Sequence, residues 1–160
     1  MKKYAYTVFL LLLFAQCQQE GNPRVFQSRE EQVVVTDGVK FGQEFSLAYY
    51  EETTVYGNQV PRRLNLYVKY LNDSRCPANA MCMQYGNATV VLSASNSQGK
   101  SEHIELCIGA CGTEPIRSTY SVTAAVGQTK YTFTLKEVRP FPGMEQEGEV
   151  KKAVLVVEKV

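Results

Sequence analysis

Five cysteines, one histidine, ten tyrosines and no tryptophan are the raw material for any chemistry in this 160-residue chain. Thiolates can hold soft metals, act as nucleophiles or pair as disulfides. Cys76, Cys82, Cys107 and Cys111 could in principle supply four thiolates to zinc, but zinc sites prefer two to four residues between ligands in both halves. Five residues separate Cys76 from Cys82, so the spacing fits poorly. A redox motif has two residues between its cysteines, whereas Cys107 and Cys111 have three. Met81-Cys82-Met83 and the lone His103 suggest soft copper(I) ligands. Alternation puts Met81 and Met83 on the face opposite Cys82, where they are expected to pack as core or rim. No metal and no cofactor is therefore expected.

The same residues argue against catalysis. His103, in Ser101-Glu102-His103-Ile104, alternates with Ile104 and Leu106 and should face solvent rather than serve as a general base. The only aspartates are Asp37 and Asp73, and the adjacent pairs Glu30-Glu31 and Glu51-Glu52 would point to opposite faces of a strand. Neither a phosphate-cradling glycine loop nor a calcium loop is present in the sequence. The expectation is a protein that is not an enzyme. Tyrosine is the unusual resource. Tyr49, Tyr50, Tyr67 and Tyr70, with Tyr56 nearby, offer apolar bodies and polar tips suited to a recognition surface. Strand-interior tyrosines filling cross-strand pairs are the competing account. The absence of tryptophan platforms makes sugar a poorer ligand than a protein or peptide.

The N-terminus has the parts of an export signal: Lys2 and Lys3, an apolar run through Val8–Phe14, and the small residue Ala15. The run is shorter than the ~20 residues a spanning helix needs. Phe14-Ala15-Gln16-Cys17 resembles the lipobox of bacterial lipoproteins. That resemblance implies removal of residues 1–16, acylation of Cys17, a lipidated tether over 17–24 and one domain over 25–160. It also implies an outer-membrane address, since no aspartate follows Cys17, with the face of that membrane left open. Cysteine arithmetic agrees, because an exported chain seldom keeps an odd thiol and lipidation of Cys17 leaves an even set. The expected lipid partner is thus the bilayer itself. Without the signal the chain has 15 basic and 16 acidic residues, a net charge of −1. No nucleic-acid partner is expected, since binding of that kind needs a basic face to release counterions.

These residues need a scaffold, and the hydrophobic pattern is that of strands. Leu64, Leu66, Val68 and Tyr70 alternate with Asn65, Tyr67 and Lys69. The pattern recurs at Ala88, Val90, Leu92 and Ala94, at Ile104, Leu106 and Ile108, and at Tyr131, Phe133 and Leu135. Ala153 to Val157 is apolar on both faces, as in a central strand, and Val33–Val35, Phe41–Tyr50 and Thr119–Ala125 are weaker candidates. About eight strands broken by turn signals, with no helical period, predict an all-β antiparallel sandwich of immunoglobulin-like kind. A small β-barrel is the alternative. Glu145 to Glu149 should form a solvated hairpin before the last strand.

The most specific motif is Asp73-Ser74-Arg75-Cys76-Pro77, then Cys82, then Gly86-Asn87-Ala88-Thr89-Val90-Val91-Leu92. It resembles a segment of an uncharacterised family of exported bacterial proteins. Where that family carries tryptophan and a small residue, this chain has Gln84 and Tyr85, so the packing role of the tryptophan is either missing or taken over by Tyr85. The resemblance implies no activity. Four cysteines allow three connectivities. Long links, 76–111 with 82–107, would restrict the unfolded chain more, by about 3.5–4 kcal/mol each. The turn residues Pro77, Asn79, Gly109 and Gly112 instead favour local pairs, Cys76–Cys82 and Cys107–Cys111. Two functional classes emerge: an envelope-anchored, non-catalytic lipoprotein that binds a protein or peptide partner or serves in an assembly, and an inhibitor-like or small-ligand-binding module.

Overall fold

A computed structural model describes residues 38–113 and 115–160; Cys17, the signal and the Val33–Val35 segment lie outside them. Among the described residues there are eight strands and no helix. They are β1 (Glu44–Ala48), β2 (Glu52–Tyr56), β3 (Arg63–Asp73), β4 (Asn87–Asn96), β5 (Gly99–Gly109), β6 (Tyr120–Val126), β7 (Thr129–Arg139) and β8 (Lys152–Lys159).

Two four-stranded antiparallel sheets form, ordered β1-β8-β7-β6 and β2-β3-β4-β5. Each is largely a meander of consecutive strands, so the likeness to immunoglobulin-type sandwiches is one of architecture rather than of interleaved strand order. Around the molecule the strands follow chain order, the connectivity of an up-and-down barrel. The ladder is broken between β1 and β2 and between β5 and β6, which leaves two facing sheets rather than a closed barrel. Short backbone links cross near these seams. The chain before β1 bonds both sheets, with Phe41 N–H donating to Tyr56 O at 3.1 Å and Gly42 N–H to Val157 O at 2.8 Å. Gly109 exchanges two backbone bonds with Arg117 at the other seam.

Burial follows the alternation. Leu64, Leu66 and Val68 of β3, Val90 and Leu92 of β4, and Tyr131, Phe133 and Leu135 of β7 all lose essentially their whole surface to one core. β8 is central, between β1 and β7, as an apolar run on both faces requires. Register shifts interrupt the alternation in three pairings, β3–β4, β4–β5 and β7–β8, and the first of them re-aims a surface. Val68 faces Leu92 and Tyr70 faces Val91, so Lys69 is an extra residue in β3. This bulge inverts the parity of the rest of the strand. Tyr70 faces solvent instead of sharing a face with Leu64, Leu66 and Val68, and Leu71 packs against the core. The strand count agrees with the sequence reading for a partly different reason. Phe41–Tyr50 contracts to β1, and β2, which the pattern did not separate from its neighbouring turn, makes up the number.

The register places four connections at one end of the sandwich: 49–51, 74–86, 110–119 and 140–151. The turns 57–62, 97–98 and 127–128 occupy the other end, where the described chain also begins.

Candidate functional site

The bulge assembles the site. Lys69 turns Tyr70 outward onto the face that already carries Tyr67. The β1–β2 crossover then comes alongside: Tyr50 N–H donates to Val68 O at 3.1 Å, and Val68 N–H donates to Glu51 O at 3.1 Å. The rings of Tyr49 and Tyr50 stack with centroids 3.9 Å apart, and Tyr50 and Tyr67 lie 6.2 Å apart. A hydrogen bond with Tyr50 holds the Tyr49 phenol above its ordinary pKa, with further contributions from desolvation and from repulsion by Tyr50, Tyr67 and Tyr70. All four tyrosines nominated from sequence therefore meet in one cluster. Tyr49, Tyr50 and Tyr70 expose 45%, 64% and 47% of their surface.

Tyr50 is held at φ 62°, among the described residues the one non-glycine residue with positive φ. A left-handed backbone costs an ordinary residue about 1–2 kcal/mol, and such strain concentrates at working surfaces. Charges surround the cluster and are largely spent on one another. Glu102 bonds Lys100 and lies 3.4 Å from Lys69, and its carboxyl is held below the usual range, first by the Lys100 hydrogen bond. His103 is exposed and 3.3 Å from Glu105. An aromatic centre with a polar rim is the anatomy of a protein interface. The outer face of the other sheet differs: there Ser121 and Thr134 bond at 2.8 Å and Thr123 and Thr132 at 3.0 Å, a hydroxyl ladder suited to water.

The Asp73-Ser74-Arg75-Cys76-Pro77 motif becomes a clamp at the loop-bearing end. Arg75 grips Asp73 through both carboxylate oxygens, Nε to Oδ1 at 2.8 Å and Nη2 to Oδ2 at 2.7 Å. Nη2 also donates to Val138 O at 2.7 Å, and the guanidinium lies 4.4 Å from the centre of the Phe141 ring. The Asp73 side chain is 0% exposed and that of Arg75 7%. Lys151 adds a second cation 3.5 Å from Asp73 Oδ2, and also bonds Pro140 O at 2.9 Å and Glu145 at 2.8 Å. The Lys151 hydrogen bond, then backbone donors at Glu145 and Gly143, draw the Glu145 carboxyl down to about 2. A fork of this kind is the strong form of ion pairing, and here it ties the β3–β4 loop to the end of β7 across the two sheets. Gly86 completes the fit: at φ 74° a Cβ there would lie 2.0 Å from Ser74 O. The Asp73–Arg75 side chains are buried and saturated, and the exposed Ser74 donates its hydroxyl to Asn87 O at 3.0 Å.

Cys76 pairs with Cys82 and Cys107 with Cys111, the local connectivity, with Cα–Cα separations of 5.9 and 6.1 Å. One expectation fails beside them, and of the two alternatives for Tyr85 the missing packing role is the one that holds. Met81 and Met83 are wholly exposed rather than packed, because the staple consumes Cys82 and turns its neighbours outward. Tyr85 does not bury its ring; it stays 42% exposed and contributes its carbonyl, which accepts from Cys76 N–H at 2.7 Å.

An open hollow of about 580 Å³ lies at the opposite end, lined by Phe41, Tyr56, Gly57, Lys40 and Lys159 among others. Its one carboxylate is Glu158, and the Lys159 ammonium is already bonded to Gln59 O and Val60 O. Nothing in it pairs an acid with a base at reacting distance. Among the described residues no three His, Cys, Asp or Glu side chains converge as a metal site would require. Compared with protein-family models, curated proteins and solved structures, the chain matches none.

Proposed function

We propose that this protein is an envelope-anchored, non-catalytic lipoprotein whose sandwich binds a protein or peptide partner through the tyrosine face of β3 and the β1–β2 crossover. The observation that carries the reading is the convergence of Tyr49, Tyr50, Tyr67 and Tyr70 on one exposed face, set by a bulge and a strained backbone. Tyrosine gives large contact area at low rotamer cost, which is why it concentrates at interfaces. A filled core and an open, unequipped hollow give the small-ligand alternative less support. Anchoring rests on the lipobox-like Phe14-Ala15-Gln16-Cys17 and on the even set of cysteines left once Cys17 is acylated. The outer membrane, through the absence of an aspartate after Cys17, is the proposed address. Two local disulfides suit an exported, oxidising compartment.

The test is recovery of partners from detergent-solubilised envelope with the tagged full chain, compared with a Tyr50→Ser/Tyr70→Ser variant. Both side chains are exposed, so the variant should keep its melting temperature while losing a defined set of proteins. An unchanged set would refute the binding face. Intact mass of the mature protein tests the anchor: it should show an acyl-glyceryl increment on Cys17, and Cys17→Ala should release the chain from membranes. An unmodified Cys17 in the mature protein would refute it.

A further inference from the structure

We infer that the disulfide-closed loop Cys76–Cys82 is a second contact element, whose Met81 and Met83 insert into an apolar cleft of a protein partner rimmed by lysine or arginine. The inference rests on the partner-binding reading above and adds to it the chemistry of the partner.

Three observations carry it. The first is composition. From Cys76 to Gly99 the chain has no charged residue, and at the loop tip Met81 and Met83 are exposed to 103% and 105%. Protruding turns are ordinarily polar, so two unbranched thioethers held wholly in water have an unmet apolar surface. Methionine adapts to irregular clefts and is over-used where a surface must fit a partner. The second is rigidity. The loop is closed by Cys76–Cys82, by Cys76 N–H to Tyr85 O at 2.7 Å, and by Ala80 N–H to Pro77 O at 3.1 Å. It is also seated on the β7–β8 connection, since Ala78 N–H donates to Pro142 O at 2.8 Å. Gly143 packs against it so closely that a Cβ would meet Asn79 Oδ1 at 2.6 Å. A tip held this way loses little entropy on binding.

The third observation is charge, and it selects the occupant. The connection that seats the loop continues into Glu145-Gln146-Glu147-Gly148-Glu149, and Met144, itself 65% exposed, leads into it. Lys151 is committed to Asp73 and Glu145, which leaves Glu147 and Glu149 exposed on the connection that seats the loop. A membrane-inserting loop carries lysine or arginine to meet anionic headgroups, and an acidic flank repels them. A second copy docked by two-fold symmetry would bring acid against acid. A protein cleft, apolar within and cationic at its rim, satisfies both halves of the surface.

The experiment places photo-methionine in the full chain, in the cells that make it, with Met144→Leu to confine the label to Met81 and Met83. Illumination and peptide mapping should put the adducts on one protein, inside an apolar cleft with lysine or arginine at its edge. In parallel, Met81→Ser/Met83→Ser should lower recovery of that protein by about thirtyfold or more, a hot-spot-sized loss. Adducts on phospholipid, adducts between two copies, or no discrete adduct would overturn the inference. So would full recovery with the loop variant. If recovery then falls only with Tyr50→Ser/Tyr70→Ser, the loop proposal fails while the tyrosine-face reading stands; if it falls with neither, both fail.

Discussion

Asp73 carries a full charge with no exposed side-chain surface, and its neighbours explain how that is tolerated. The Arg75 fork satisfies both oxygens, Lys151 supplies further positive charge, and among the described residues no buried side-chain nitrogen or oxygen lacks a hydrogen-bond partner. Breaking such a pair costs more than the pair itself contributes, because the survivor is left charged and dry. Asp73→Asn should therefore lower stability by about 3–5 kcal/mol in urea denaturation. An Asp73→Leu/Arg75→Met double variant should lose much less, and a loss of under about 1 kcal/mol for Asp73→Asn would show the clamp to be incidental. Glu145 gives a second residue-scale prediction. Its folded-state pKa of about 2 lies below the ordinary 4.5, so its contribution is fully present above 4.5 and is lost as the pH falls from there through 2. The chemical shift of the Gly143 amide, which donates to Glu145 at 2.7 Å, should follow that carboxyl by NMR with a midpoint near pH 2. Glu145→Gln should abolish the step; a shift that persisted would place its cause elsewhere.

Elements were legible in the sequence where alternation is uninterrupted, and opaque where it is broken. β4 buries the residues that period-two spacing nominates, β7 does so as far as Leu135, and β8 is the central strand that its run apolar on both faces implies. The bulge at Lys69 has no such signature: no glycine or proline marks it, and it is set by pairing with β4, a non-local constraint. The four tyrosines could be chosen by type, but their convergence depends on that bulge and on the crossover bonds to Val68. The exposure of Met81 and Met83 is hidden for a similar reason, since strand alternation does not hold within a stapled loop. The clamp could not be seen at all, because Val138 and Phe141 lie more than sixty positions from Arg75. Short staples belong to this scale too. Each closes a loop of five or seven residues, so replacing either pair by serine should cost about 2 kcal/mol and leave the sheets folded, as read by far-UV circular dichroism and urea midpoints. Loss of the fold on removing Cys107–Cys111 would mean that the staple organises the β5–β6 seam and does not merely trim a loop.

At the scale of the whole domain the structure is polar in its resources. A ring of strands in chain order is flattened into two sheets, and the clamp, the methionine loop and the acidic turn gather at one end. The described chain begins at the other end, so any tether upstream of Gly38 attaches there. One sheet turns hydroxyls to water and the other turns tyrosines, and this asymmetry is the basis for placing the working surface on β3 and the β1–β2 crossover. The most direct measurement is tyrosine nitration in intact envelopes against the purified protein. Nitration proceeds through the phenolate, so Tyr49, with its raised pKa, is a slow reporter and Tyr50 and Tyr70 are the informative ones. Tyr56, at the opposite end beneath Arg63, serves as the internal reference. Relative to Tyr56, nitration of Tyr50 and Tyr70 should be several-fold slower in the envelope than in the purified chain, as the proposed covering partner requires. Equal relative rates in the two preparations would mean that the face stands bare in its native setting, and would contradict the account.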